Sequence, residues 1–193
     1  MLAALLAFGL VVGCGDDNSG GSGTPPPNGG GWNGVVFGNG AWAKELGAVT
    51  LFGVEPDDDD DPFVPGGVTI TGNKLVSGSD MIAAFFENPV DASKFTKLIF
   101  EGAANGMFAW WYGGIIFFEN PDDKNKIDEA FEAQWWDGEN QEASNKIATF
   151  LHSNFADMEY DDEPKGKSTF NKVVGFMIKN CTDDLELIKI HFE

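Results

Sequence analysis

Short apolar runs separated by turn-forming residues occupy most of the chain. Gly, Pro, Asn and Asp bound each run, and this spacing is typical of all-β domains. The predicted strands cover residues 32–37, 47–54, 68–71, 81–86, 97–101, 107–112, 115–118, 146–151, 173–178 and 185–192. About nine to eleven strands are enough for two packed sheets, so the pattern predicts an all-β fold of the β-sandwich class.

The last predicted strand has the alternation of a strand with one buried face. Ile188, Ile190 and Phe192 are expected to face the core. Lys189 and His191 are expected to face solvent, because successive side chains of a strand point to opposite faces.

Residues 127–136 fit two patterns. Ile127, Phe131 and Trp135 lie at helical spacing, but the stretch also alternates from Phe131 onward. The β-like sequence on either side favours a strand.

Residues 1–13 are predicted to be an export signal, because they are apolar, uncharged and too short to span a bilayer. Val11, Val12 and Gly13 followed by Cys14 resemble the lipobox of bacterial lipoproteins, in which the cysteine is lipidated and becomes the mature N-terminus. The segment departs from that family in having no Lys or Arg, so either the true start lies upstream of Met1 or the signal is weak. The resemblance implies lipidation of Cys14 and an exported protein held in the cell envelope, at the outer membrane or cell surface, by its lipid alone.

The segment after the cysteine is expected to be a tether. Residues 15–31 are rich in Gly and Ser and include three consecutive prolines. Such a sequence buries too little apolar surface to offset the entropy of ordering, and it acts as a spacer. The expected organisation is a signal peptide at 1–13, a lipidated cysteine and tether at 14–31, and one folded domain at 32–193.

The charge of the chain limits its partners. There are 31 acidic residues against 12 basic ones, all of them Lys, and the net charge is −19. This charge repels phosphate backbones, so nucleic acid is not expected as a partner. It also repels anionic polysaccharides, which leaves neutral ligands and cations as compatible partners. The alternative is that the charge serves solubility alone.

Three segments of the C-terminal half, residues 91–101, 147–157 and 170–192, resemble carbohydrate-binding modules with a galactose-binding-like jelly roll. The nearest type is the family-11-type module attached to endoglucanases. The resemblance implies a jelly-roll β-sandwich, sugar binding on one sheet face or in the end loops, and a structural calcium ion in many members. It transfers no specific binding residue to this chain.

The candidate sugar-binding residues are Trp110, Trp111, Tyr112, Trp135 and Trp136. Adjacent residues on a strand point to opposite faces, so one Trp of each pair is expected to enter the core and the other to face outward. Exposed indole faces stack well on the C–H surfaces of sugar rings. Either assignment of the faces is open at 110–112, and burial of all these aromatic side chains is the alternative.

Asp57, Asp59 and Asp61 lie in an unbroken acidic stretch that could ligate a calcium ion, because hard cations take several oxygen ligands. The alternative is a solvated loop, since consecutive like charges are typical of one. A catalytic centre is not expected. His152 and His191 are the only histidines, too few for a zinc site or a catalytic triad.

These features together favour a non-catalytic, surface-tethered protein that binds a neutral polysaccharide such as a β-glucan. A structural or adhesive surface lipoprotein that binds a protein partner is the alternative. A small jelly-roll glycoside hydrolase is the second alternative, and it would need a pair of carboxylates flanking the scissile bond.

Overall fold

The chain folds into two stacked antiparallel sheets in this computed structural model. The structure describes residues 32–53, 65–119, 133–140, 145–153, 169–181 and 184–193, with the backbone alone for 133–140. Its strands are β1 (Val35–Gly38), β2 (Ala41–Trp42), β3 (Val49–Phe52), β4 (Val68–Thr71), β5 (Lys74–Ser77), β6 (Met81–Val90), β7 (Lys97–Gly102), β8 (Trp110–Phe118), β9 (Ala133–Asn140), β10 (Ile147–Leu151), β11 (Val173–Asn180) and β12 (Leu185–Phe192). The predicted all-β sandwich is confirmed.

Non-consecutive strands are neighbours in both sheets. Sheet A has the order β10-β7-β12-β1-β2. In addition, β5 pairs with the first part of β12, and β4 pairs with β5. Sheet B has the order β3-β6-β11-β8-β9. The chain therefore crosses between the sheets several times, and each crossing places a loop at one end of the sandwich.

The inter-sheet core is built largely of phenylalanine. Phe100 on β7 meets Phe176 on β11 edge to face, with ring centroids 5.1 Å apart, and Phe150 on β10 packs against Phe100 at 5.6 Å. All three side chains are buried. Removing one such ring costs about 3–5 kcal/mol, and the Phe100–Phe176 contact joins the two sheets directly.

Sheet B buries side chains on both of its faces. On β6, Ile82 and Phe86 lie in the inter-sheet core, whereas Met81 and Phe85 lie in a second buried cluster on the opposite face, with Phe117 of β8. A strand that is buried on both sides has no polar face. This explains why residues 81–86 form a continuous apolar run instead of an alternating one.

A β-bulge in β12 changes the predicted alternation. The pairing of β12 with β7 shifts between Leu187 and Lys189. Leu187, Ile190 and Phe192 are buried, but Ile188 is only half-buried. The prediction is confirmed for Ile190 and Phe192 and is wrong for Ile188, because the extra residue of a bulge is displaced from the face of its neighbours.

Two glycines that suggested a break between strands lie inside β8. Gly113 and Gly114 are part of one continuous strand from Trp110 to Phe118. A Cβ on Gly114 would collide with the backbone oxygen of Met177 and lie 3.0 Å from the ring of Phe150. Gly114 therefore marks a close approach of neighbouring atoms rather than a turn.

Several expectations fall wholly or partly outside the described residues. The signal peptide, Cys14 and the tether lie there, as do Asp57, Asp59 and Asp61. For residues 127–136, the strand interpretation is confirmed over 133–136, which belong to β9, and 127–132 lie outside. Within the ranges that the structure describes, no helix is long and apolar enough to cross a membrane.

Candidate functional site

The outer face of sheet A carries charged side chains rather than an aromatic platform. Lys74 pairs with Glu186 at 2.7 Å, and Lys189 pairs with Glu101 at 3.1 Å. His191 lies 3.7 Å from the same Glu101 carboxylate, and burial lowers its pKa, so it is held neutral close to neutral pH. Cross-strand ion pairs of this partly exposed kind stabilise a fold only weakly.

The outer face of sheet B carries apolar side chains, but these side chains are buried and not in contact with solvent. Phe52, Phe85, Phe117, Met81 and Met177 form the second buried cluster, and each is less than a tenth exposed. The rings of Phe85 and Phe117 lie 4.8 Å apart. Their faces are therefore not open to a sugar, and among the described residues neither sheet face presents an exposed aromatic ring.

Trp110 is the exposed aromatic residue of the described ranges. Its side chain is 65 % exposed, whereas Trp32, Trp42 and Trp111 are partly buried. Trp110 begins β8, at one end of the sandwich. A large indole left in water at a loop is the feature expected of a binding residue.

The backbone of Trp110 is strained. Its φ is +72°, a value that bulky L-residues rarely adopt. The N–H of Trp111 donates to the carbonyl oxygen of Ala109 at 2.9 Å, which closes a three-residue γ-turn centred on Trp110. The γ-turn with positive φ at its centre is the rare, strained form. Strain of this kind persists only where surrounding contacts impose it, and it concentrates at functional sites.

Contacts from β11 impose this conformation. The thiol of Cys181 donates to the Ala109 oxygen at 3.1 Å, so the turn carbonyl accepts two hydrogen bonds. The amide of Asn180, which is buried, donates to the oxygen of Met107 at 2.7 Å. Asn180 is the last residue of β11 and Cys181 follows it, and both fix the loop that carries the indole.

The same loop is anchored from the other side by two buried side chains. Met107 and Phe108 are buried, and the N–H of Phe108 donates to the oxygen of Asn145 at 3.1 Å. A strand was predicted over 107–112, but 107–109 form a turn in which the N–H of Ala109 donates to the oxygen of Gly106. Asn105 and Gly106 are a residue pair typical of hairpin turns and precede this stretch, but they form no hairpin, because β7 and β8 belong to different sheets.

Tyr112 is a core residue and has no open face for a ligand. It is buried, packs edge to face on Phe108 at 5.7 Å, and its hydroxyl lies 3.4 Å from the N–H and 3.5 Å from the oxygen of Thr149. The sequence placed Trp110 and Tyr112 on one face. They differ because the γ-turn takes Trp110 out of the regular strand, so strict alternation begins only after it.

The hydroxyl of Tyr112 also interacts with backbone groups at an edge of sheet A. Thr149 lies on β10, which is the end strand of that sheet within the described residues. Two positions earlier, the side chain of Asn145 donates to the oxygen of Ile147 at 2.7 Å and accepts its N–H at 3.0 Å. Side chains thus satisfy edge groups that would otherwise pair with another strand.

The remaining tryptophans of the predicted set lie on β8 and β9. Trp111 is partly buried. In the backbone pairing between these strands, Trp135 lies opposite Ile115 and Trp136 lies opposite Gly114. The structure describes only the backbone of these two tryptophans. Of the pair at 110 and 111, the structure leaves Trp110 facing water.

The loop-fixing residues Asn180, Cys181 and Asn145 were not predicted from the sequence. Each follows or precedes an apolar run as an ordinary loop residue, and their role depends on contacts more than 30 positions away along the chain. In the ranges that the structure describes, no group of three or more His, Cys, Asp or Glu side chains is placed to hold a metal ion.

The sequence matches no protein-family model and no curated protein. Function is therefore inferred from the residues and geometry of this chain alone.

Proposed function

We propose that this protein is a surface-tethered, non-catalytic carbohydrate-binding protein, and that the loop at Trp110 binds a neutral polysaccharide such as a β-glucan. The exposed indole of Trp110 on a strained, hydrogen-bonded turn is the observation that carries the proposal. The end-loop location is one of the two that the resemblance to galactose-binding-like modules implies.

The geometry of the turn suits stacking on a sugar. An indole offers a flat apolar face to the C–H bonds of a pyranose ring. The Cys181 and Asn180 hydrogen bonds hold the turn before any ligand arrives, so little conformational entropy is lost on binding. A pre-formed aromatic surface is also where binding energy concentrates in protein interfaces.

The charge of the protein narrows the class of polysaccharide. A net charge of −19 repels uronic-acid polymers at long range, and it has no such effect on a neutral glucan. Binding is therefore expected to be strongest with neutral chains, and raising the salt concentration should change it little.

Affinity electrophoresis in gels that contain neutral glycans tests the proposal. The wild-type protein should be retarded by at least one neutral β-glucan, and Trp110→Ala should migrate as in a gel without glycan. The matched control is Ile70→Ala, because Ile70 is a large apolar residue of β4 that is also exposed, at 44 %. Wild-type mobility that no neutral glycan changes would overturn the proposal.

A protein-binding role has one specific observation in its favour. Ile147 and Leu151, four residues apart on β10, are 40 % and 36 % exposed and share the outer side of that strand. A partner there would contact side chains, because Asn145 and Tyr112 already satisfy backbone groups of the strand. If glycans do not bind, Ile147→Ser with Leu151→Ser is the variant that tests this surface against candidate protein partners.

We also propose that Cys14 carries the lipid that holds the protein in the cell envelope. The apolar segment ending at the Val11–Cys14 lipobox-like sequence supports this. Growth with a labelled fatty acid should label the wild-type protein and leave Cys14→Ser unlabelled. Equal labelling of both proteins would contradict lipidation at this residue.

A further inference from the structure

Three neighbouring strands of sheet A align their outward side chains in three rows. Every second residue of β10, β7 and the last part of β12 lies in the inter-sheet core, so the residues between them face outward. The strand register places one residue from each strand in every row. From β10 through β7 to β12, the first row is Ile147, Glu101 and Lys189, the central row is Thr149, Ile99 and His191, and the third row is Leu151, Lys97 and Glu193, which directly follows β12. We call this set the three-row patch.

Both outer rows of the patch reach solvent. Ile147 and Leu151 are exposed large apolar residues. The side chains of Lys97 and Lys189 are each about two-fifths exposed, and that of Glu193 is more than half exposed. The surface is therefore open to a partner, and it combines apolar side chains on β10 with charged side chains on the two strands beside it.

The charges of the patch cancel, in a chain that is strongly acidic. Lys97 and Lys189 balance Glu101 and Glu193, and burial lowers the pKa of His191, so this side chain stays neutral close to neutral pH. The whole chain carries a net charge of −19, so two copies repel each other at long range. A face without net charge adds nothing to this repulsion when two copies approach through it.

The patch is self-complementary under a half turn. A second copy that is laid face to face on it, and rotated about an axis parallel to the central row, exchanges the first and third rows. The opposed residues of the two copies are then Ile147 with Leu151, Glu101 with Lys97, and Lys189 with Glu193. Apolar side chains meet apolar ones and every carboxylate meets an ammonium, whereas the uncharged central row meets itself. A two-fold dimer requires this kind of match, because the same surface serves both copies.

We propose that the three-row patch binds a second copy of this chain, in a face-to-face dimer with two-fold symmetry. The proposal goes beyond carbohydrate binding and does not depend on it. Burial of Ile147 and Leu151 supplies the attraction, and the opposed charges fix the orientation and disfavour other alignments. Three strands over the five residues of β10 span roughly 14 Å by 17 Å, well below the area of about 800 Å² that each partner of a stable complex buries. Self-association is therefore weak and reversible, with a dissociation constant of about 100 μM.

Reversal of single charges tests the dimer most sharply. Lys97→Glu leaves carboxylates at positions 97 and 101 to face the same two groups on a second copy, and Glu101→Lys does the same with two ammonium groups. Each variant alone should associate at least about tenfold more weakly than the wild type, because like charges oppose each other. An equimolar mixture of the two variants should regain association close to the wild-type level, because every carboxylate at these two positions then meets an ammonium.

Sedimentation equilibrium of the full 193-residue chain measures the association, at protein concentrations up to about 1 mM. The chain is produced without export and kept reduced, so that neither lipidation nor a disulfide changes its mass. Lys74→Glu is the matched control, because the side chain of Lys74 is as exposed as that of Lys97 and also pairs with a glutamate, but it lies outside the patch. This variant should associate like the wild type. Chemical denaturation checks that each variant is folded.

Three results would overturn the dimer. The first is a wild-type mass that stays at the monomer value over the whole concentration range. The second is association that both charge reversals leave unchanged, because the copies would then meet through other residues. The third is a mixture of the two variants that associates no more strongly than either variant alone. Glycan binding is measured separately, so each of the two proposals can fail without the other.

Discussion

Trp32 and Trp110 stand at opposite ends of the same sandwich and have opposite surroundings. Trp32 is partly buried, has a hydrogen bond for its indole N–H and packs on two phenylalanine rings. Trp110 is 65 % exposed, and its backbone has a positive φ. The first tryptophan stabilises the fold, whereas the second adds strain and leaves apolar surface in water. The comparison shows that two residues of one type differ in exposure and backbone geometry, and this difference is what supports the proposal that Trp110 is the binding indole.

Replacing the packed indole should have the largest effect on stability. Trp32→Ala removes ring contacts and the bond to Val35, and it should lower the free energy of unfolding by about 3 kcal/mol. Glycan affinity of the folded protein should stay as in the wild type. Chemical denaturation and affinity electrophoresis on the same sample measure both. A loss of affinity without a loss of stability would contradict the structural role assigned to Trp32.

Removing the amide that fixes the Trp110 loop should affect stability and binding together. Asn180→Ala leaves the buried oxygen of Met107 without the Asn180 hydrogen bond, which costs about 2 kcal/mol. Binding should also weaken, because the turn loses one of its supports. Denaturation and titration with β-glucan test the two effects, and a variant as stable as the wild type would show that the loop does not depend on this amide.

Replacing the exposed indole should separate binding from stability. Trp110→Gly keeps the γ-turn conformation at lower strain, so it should leave the free energy of unfolding unchanged or raise it by about 0.5–1 kcal/mol. It should abolish binding to β-glucan. A loss of more than about 1 kcal/mol in the free energy of unfolding would instead show that the indole of Trp110 packs on the fold, because losses of that size come mainly from buried side chains.

The smallest effect is expected at Tyr112, and it should depend on pH. Burial raises the pKa of Tyr112, so the folded protein keeps a proton that the unfolded chain loses above about pH 10. Unfolding then releases a proton, and stability falls as the pH rises from about 10 towards the raised pKa. Tyr112→Phe should cost about 1 kcal/mol at neutral pH and remove this part of the alkaline decline. Parallel alkaline denaturation curves for both proteins would contradict it.

The fold was largely predictable because sheet formation depends on local alternation. The runs that became β6, β7, β10, β11 and β12 were apparent from their apolar residues and bounding turns. Errors arose where a contact distant in sequence overrides that pattern. The bulge at Ile188 depends on pairing with β7, and Gly114 lies within a strand because Phe150 and Met177 approach it.

The candidate site was predictable only as a set of residues. The adjacent tryptophans at 110 and 111 indicated that one would face outward, and the sequence left open which one. The choice depends on a γ-turn held by Cys181 and Asn180, which are about 70 residues away along the chain. Hydrophobic periodicity carries no signal for such a contact. It placed Trp110 and Tyr112 on one face of the strand and left open which face, whereas the structure exposes Trp110 and buries Tyr112.

The most direct test is to observe the Trp110 indole while a neutral polysaccharide binds. The protein is labelled with 5-fluorotryptophan, and the ¹⁹F resonance of Trp110 is assigned from its loss in Trp110→Phe. Addition of β-glucan should shift or broaden the Trp110 resonance, in proportion to binding, and leave that of Trp32 unchanged. A spectrum in which β-glucan binds and the Trp110 resonance does not move, or in which Trp32 responds instead, would contradict the assignment of the binding site to the Trp110 loop.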